Sequence, residues 1–243
     1  KIICFFVIYF LLNSLLNRLQ SLTMGIKEGF WSYFSRSELN ELLLEQVSSN
    51  STLLIDGSSF MFNIMNQCIK EGGEPIDRRY CGSYAEMRSI ICREIKFLQN
   101  LGLQLKVYFD GKSSAFKAFE AEDRSNKKDR RWNDFHKIIN FDYKLIDQVD
   151  LPLPSWTRIF FELVLRQESI EIIKCEVEAD LILGKDCKEQ NKIHKNCYIY
   201  SEDSDFAVMP DCPMIKFGAF MNCNPNSHPY NVTVWRNTTV AAC

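Results

Sequence analysis

The chain is short of several things that would settle its class at once. Its 243 residues contain ten cysteines but no Cys-x-x-Cys pair, so neither a zinc ribbon nor a thioredoxin-type motif is spelled out. Only three histidines occur, scattered at His136, His194 and His228, and no metal-ligand spacing follows from them. There is no internal repeat and no low-complexity linker, which argues against a solenoid or a string of tethered modules. Charge of either sign is not in excess. The formal net charge is −2, so a nucleic-acid partner is not announced by the total and needs a local basic patch. A long apolar run is missing as well. The stretch Lys1–Leu12 is apolar but too short for a confident membrane span.

What is present suits a folded α/β domain. Hydrophobic residues make up 46% and charged residues 25%, an ordinary composition for a chain that buries a core. Cys81, Cys92, Cys175, Cys187 and Cys197 sit among apolar neighbours and read as reduced, buried thiols of an intracellular protein. A competing reading takes residues 1–23 as a signal peptide. Three Asn-x-Ser/Thr sequons, at Asn50, Asn231 and Asn237, would then mark a secreted, disulfide-bonded protein. The preferred reading starts the protein at Met24 and leaves residues 1–23 as upstream sequence.

Along the chain, Met24–Phe30 reads as an ordered start, and a helix is expected to follow it through about Gln46. Leu53-Leu-Ile-Asp-Gly57 has the pattern of a buried strand ending in a carboxylate and a glycine. Helices are expected over Ser58–Cys68 and over Ser83–Asn100. In the latter, Met87, Ile90, Ile91, Ile95 and Leu98 fall at helical spacing, and Gly102 marks the stop. Strand Leu105–Phe109 again ends in Asp-Gly. A long charged helix is expected over Ala115–Ile139 and a shorter one over Trp156–Arg166. Strand Ile170–Lys174, helix Glu178–Gln190 and strand Cys197–Tyr200 follow. Met214–Phe217 is the last expected strand, and no structure is assigned after Met221.

Strands alternating with helices imply a parallel sheet covered on both faces. Ligands of such sheets lie outside the carboxyl ends of the strands. Asp56, Asp110 and Asp203 each follow an expected strand, while Glu178 and Asp180 open the helix after another. With Asp205 they form a set of six carboxylates expected at one sheet edge. So many like charges at close quarters need cations between them, and hard divalent ions with oxygen ligands are the natural choice.

The ordered motifs Met24-Gly-Ile26, Leu54-Ile-Asp-Gly57, Val107-Tyr-Phe-Asp-Gly-Lys112, Val177-Glu-Ala-Asp180 and Ser201-Glu-Asp-Ser-Asp205 resemble those of flap-endonuclease-like nucleases with a PIN-type domain. Arg79-Tyr-Cys-Gly-Ser-Tyr84, Leu151-Pro-Leu-Pro154 and Cys175, three residues before Glu178, look closest to the Asteroid branch of that superfamily. The resemblance runs from Met24 to about Phe220. It implies a PIN-like three-layer α/β/α sandwich with a mainly parallel central sheet over residues 24–220. Residues 1–23 become a non-native leader, and residues 221–243 an irregular C-terminal segment in which truncation is allowed for.

The same resemblance implies a structure-specific nuclease that hydrolyses phosphodiesters of DNA with branched or single-stranded parts, inside the cell and in the nucleus. Asp56, Asp110, Glu178, Asp180, Asp203 and Asp205 would hold two Mg2+ or Mn2+ ions. Lys117 and Arg124 match basic positions that flap endonucleases place after the Asp-Gly-Lys motif. Their spacing of nearly two helical turns puts both on one side, facing the scissile phosphate. The basic run from Arg124 to Arg131 reads as a phosphate-contacting helix or as a solvated helix with internal pairs. Trp31, Tyr33 and Phe34 read as core residues or as stacking platforms. The nucleases have one further Asp beyond the second acidic cluster and a downstream helical DNA-binding element that this chain does not match. That mismatch motivates a different expectation, a catalytically silent PIN-like adaptor in signalling or DNA repair.

Overall fold

A computed structural model describes residues 40–71, 84–111, 126, 129–130, 132–133, 156–194 and 196–237. In chain order the elements are strand β1 (Asn40–Val47), strand β2 (Thr52–Asp56), helix α1 (Gly57–Glu71), helix α2 (Tyr84–Asn100) and strand β3 (Gln104–Phe109). Helix α3 (Trp156–Gln167), strand β4 (Glu171–Lys174), helix α4 (Ala179–Ile193) and strand β5 (Cys197–Tyr200) follow. A 3-10 turn (Phe206–Val208) and strands β6 (Met214–Ile215) and β7 (Tyr230–Asn237) complete the described chain.

Seven strands form one sheet in the order β1-β7-β6-β5-β2-β3-β4. The five from β6 to β4 are parallel, and β7 runs antiparallel to both its neighbours. The central strands β2 and β5 are buried at every residue. Their near-continuous apolar sequences are what burial on both faces demands, because each face must meet a covering layer. Leu53 and Ile55 point into one core with Phe60 and Ile64 of α1, Met87, Ile91 and Ile95 of α2, and Phe161 and Leu165 of α3. Leu54, Tyr108 and Ile199 point the other way, into a smaller core with Ala179, Leu183 and Cys187 of α4. The expected three-layer α/β arrangement with a mainly parallel sheet is therefore present.

Element ends follow local chemistry. Helix α2 stops at Gly102, whose φ of 75° suits a residue without Cβ. There Leu103 N–H donates to Leu98 O and Gly102 N–H to Gln99 O, which closes the last turn's open carbonyls. All five apolar positions expected to face inward on α2 are buried.

Two expectations fail. The residues expected to finish a helix at Gln46 form strand β1 instead, paired with β7 from Asn40↔Asn237 to Val47↔Tyr230. Glu41-Leu-Leu-Leu-Glu45 consists of good helix formers. Eight residues of ladder with a distant strand override that local preference. Met214–Ile215 is not the last strand either, since Tyr230–Asn237 forms β7 with Tyr230, Val232 and Val234 buried. The long helix expected over Ala115–Ile139 lies largely outside the described residues, although Asn126, Asp129, Arg130, Trp132 and Asn133 are helical. Among the described residues no helix is long and apolar enough to cross a membrane. The described cysteines, Cys175, Cys187 and Cys197 included, carry free thiols.

Candidate functional site

Strand β2 connects through its helices to β3 on one side, while β5 lies against its other side. The sheet order thus reverses direction between β2 and β5, the switch point at which sheets of this kind form their crevice, outside the carboxyl ends of the strands. Asp56 is the last residue of β2, Asp110 directly follows β3, and Ser201 directly follows β5.

Asp56 is nearly buried, at 7% exposure. Its Oδ1 accepts hydrogen bonds from the backbone N–H groups of Ser58 and Ser59, both at 3.1 Å, and so caps the first turn of α1. Its Oδ2 accepts from Ser201 Oγ at 3.1 Å. The carboxyl is pushed up to about 6 from 3.8, first by burial and further by the charges of Asp110 and Asp203. The bonds from Ser59 and Ser201 work against that rise without cancelling it.

The neighbouring acids connect through the same two serines. Ser58 Oγ donates to Asp110 Oδ2 at 3.2 Å, which links Asp110 to Asp56. Ser201 Oγ accepts from Asp203 N–H at 3.0 Å, and Asp203 Oδ1 accepts from Asp205 N–H at 3.0 Å. Asp110 Oδ1 accepts from Ala179 N–H at 2.8 Å. Glu178, at the N-cap position of α4, makes no capping bond to its own helix, because Asp110 supplies the cap across the fold. Asp180 lies in the first turn of α4. The Cys175 thiol beside it is raised by burial first, then by Asp110, Asp186 and Asp180.

The structure therefore brings Asp56, Asp110, Asp203 and Asp205 into one hydrogen-bonded chain and sets the start of α4, with Glu178 and Asp180, against Asp110. Lys117 and Arg124 lie outside the described residues, as do His136 and the aromatics Trp31, Tyr33 and Phe34. His194 ends α4 and His228 meets the Tyr230 ring edge-on, neither of them at this crevice.

The donor set is entirely oxygen; burial above all raises the Asp56 carboxyl, and the charges of Asp110 and Asp203 add to that rise. That chemistry fits a hard divalent cation. Yet among the described residues no group of three or more His, Cys, Asp or Glu side chains is drawn together as a finished metal cage. Like charges repel, and amides and hydroxyls hold oxygens of Asp56, Asp110 and Asp203.

Three residues belong to the site without having been picked out in the sequence. Ser58 and Ser201 orient the carboxylates, and the Asp56-Gly-Ser-Ser59 spacing is a helix-capping pattern that could have revealed Ser58. Arg158 has no such signal. Its Nη2 donates to Asp110 O at 3.1 Å while its guanidinium lies 5.0 Å from the Phe109 ring centroid. Glu162 anchors it at 3.1 Å and also binds Lys174 at 2.7 Å. Burial alone would raise the Glu162 carboxyl, but Lys174 and Arg158 outweigh it and hold it below its ordinary value.

No protein-family model matches the sequence, and no curated protein does. Solved structures show a distant likeness. The catalytic core of Rad2 in complex with DNA substrate gives a TM-score of 0.47 at 13% identity, covering 86% of this chain and 54% of that one. The T5 D15 protein co-crystallised with metal ions gives 0.41 at 12% identity, covering 68% and 54%. Human GEN1 in complex with Holliday junction DNA gives 0.40 at 12% identity, covering 85% and 43%. The chain spans about half the length of these structures.

Proposed function

We propose that this chain is a divalent-metal-dependent, structure-specific nuclease of Asteroid type, acting on DNA with branched or single-stranded parts. The observation that supports it is the run Asp110–Ser58–Asp56–Ser201–Asp203, joined by hydrogen bonds across three strand ends at the sheet's reversal point. The ordered motifs that resemble flap-endonuclease-like nucleases supply the choice of DNA. Asp56, Asp110, Glu178, Asp180, Asp203 and Asp205 are the residues that would hold Mg2+ or Mn2+. Bound divalent ions supply charge neutralisation and Lewis acidity at a phosphodiester.

The chain's own residues prepare that chemistry. Ser58 and Ser201 fix the rotamers of Asp110 and Asp56, so the carboxylates need little reorganisation to take up a cation. Asp56 is a ligand only when ionised, and with its carboxyl near 6 it is charged at neutral pH and above. Arg158 holds the Asp110 backbone from outside the crevice. Lys117 and Arg124 are assigned to the phosphate.

The test is cleavage of labelled flap, overhang and plain duplex DNA in Mg2+ or Mn2+. The wild type is expected to cut the flap and overhang, and Asp205→Asn to lose at least about tenfold in rate. Asp205→Asn cutting as fast as the wild type would remove Asp205 from the metal set. Failure of the wild type on every substrate would sink the enzymatic reading.

One observation favours a second reading, a catalytically silent adaptor: the described carboxylates do not form a finished cage. Calorimetry decides between them. Heat of Mg2+ or Mn2+ binding that Asp56→Asn abolishes supports the nuclease. No heat above buffer supports the adaptor.

A further inference from the structure

An open cavity of about 680 Å³ lies well away from the carboxylate crevice, lined by Lys188, Asn191, Lys192, Asp211 and Arg236. Lys188 and Lys192 are on the carboxyl half of α4. At 1.5 Å rise per residue they stand roughly 14 and 20 Å along the axis from Ala179, where α4 meets Asp110. The cavity is therefore separate from the proposed nuclease site.

Its walls are fixed and its charge is not used up. Asn191 is spent on the start of β5: its Nδ2 donates to Cys197 O at 2.8 Å and its Oδ1 accepts from Cys197 N–H at 2.9 Å. Arg236 is held by both oxygens of Glu45 across the β1–β7 ladder, with Nη2 2.7 Å from Oε2. The nearby Lys185 pairs with Glu189 at 4.0 Å. Lys188 and Lys192, one turn apart, pair with no carboxylate among the described residues, Asp211 included. Two ammonium groups without an ion-pair partner, set against the single carboxylate of Asp211, leave the concave wall net positive where an anion can sit. Asp211, held in the left-handed region at φ 60°, adds one acceptor to the same wall.

We propose that this cavity binds a phosphate ester of nucleotide size. Lys188 and Lys192 take the phosphate, and Asp211 accepts a hydrogen bond from a hydroxyl or amino group of the ligand. The volume lies in the range of small-molecule sites, roughly 300–1,000 Å³, and exceeds what a bare phosphate fills. Lysine meets a phosphate as a point charge, without the bidentate geometry of arginine. A free nucleotide and a nucleic-acid strand both present this chemistry, and the probes below distinguish the two sources.

The experiment is calorimetric titration of the metal-free protein in chelator, with ADP, inorganic pyrophosphate and a short single-stranded oligonucleotide as separate probes. ADP or the oligonucleotide is expected to bind, and the Lys188→Gln/Lys192→Gln double variant to weaken that binding by at least about tenfold. Asp211→Asn is expected to weaken ADP but not pyrophosphate. Binding of ADP assigns a free nucleotide, and lysine-dependent binding of the oligonucleotide alone assigns a strand. No binding of any probe, or binding unchanged in the double variant, overturns the proposal. Both lysines project from one helix surface, and an unchanged melting temperature shows that the variant is folded. Asp56→Asn should leave this binding intact, so failure of the nuclease reading and failure of this one are separable.

Discussion

Asp56 carries the sharpest consequence at the level of single side chains. Its carboxyl sits at about 6 in the folded protein against 3.8 unfolded, so the folded state binds the proton more tightly. Its contribution to stability is fully present below the unfolded value and is lost as pH rises through about 6. At about 1.4 kcal/mol per pH unit, the metal-free protein holds Asp56 ionised at neutral pH at a cost of about 3 kcal/mol. Asp56→Asn removes that titration while keeping an oxygen for the two amides of α1. In chelator, urea unfolding from pH 4 to 7.5 should show the wild type losing stability relative to the variant. Parallel curves would show that Asp56 is not strained. Ser201 is the complementary case. Its fully buried hydroxyl serves both Asp56 and Asp203, so Ser201→Ala should cost about 1–3 kcal/mol in the same measurement.

Among the elements, the junction of β3, β4 and α4 is the tightest. Gly111 N–H donates to Val177 O at 2.9 Å, and Cys175 N–H donates to Phe109 O at 3.0 Å. A Cβ on Gly111 would lie 1.9 Å from Cys175 O, which is backbone and cannot swing away. Gly111→Ala should therefore destabilise by more than about 3 kcal/mol and displace Asp110 from the start of α4. Thermal unfolding and the yield of folded protein would show it, and a variant as stable as the wild type would contradict the packing at this junction. Asp-Gly as a strand-ending pair was readable from the letters. Its reason at Gly111, that the backbone of Cys175 and Glu176 just beyond β4 passes too close for any side chain, was not.

The whole molecule combines these local strains into one response. A cation that offsets the excess charge at the crevice should raise the melting temperature by several degrees at pH 7.5, through preferential binding to the folded state. At pH 5, with Asp56 mostly protonated, the gain should be much smaller, and in Asp56→Asn it should be absent. A Mg2+ or Mn2+ shift equal at both pH values would argue against Asp56 as a ligand. How far the sequence reached can be traced through particular segments. Leu53–Asp56, Leu105–Phe109 and Cys197–Tyr200 showed themselves as strands, the first and the last because burial on both faces leaves a near-continuous apolar run. Alternation with helices then placed Asp56, Asp110 and Asp203 at one edge, since parallel strands share a carboxyl end. Asn40–Val47 was misread because its residues favour a helix locally, and only β7, nearly two hundred positions away, makes it a strand. Arg158 was invisible, and Ser201 stood in a motif without a role, for a related reason: a serine or arginine acquires its role from the oxygen it meets, and that partner comes from another part of the chain. The sequence alone determined the α/β class and the sheet edge that collects the acids, because periodicity and strand direction are local properties. Only the tertiary structure decided which oxygens meet which donors, and which lysines have no carboxylate partner, because those depend on contacts between residues far apart in the chain.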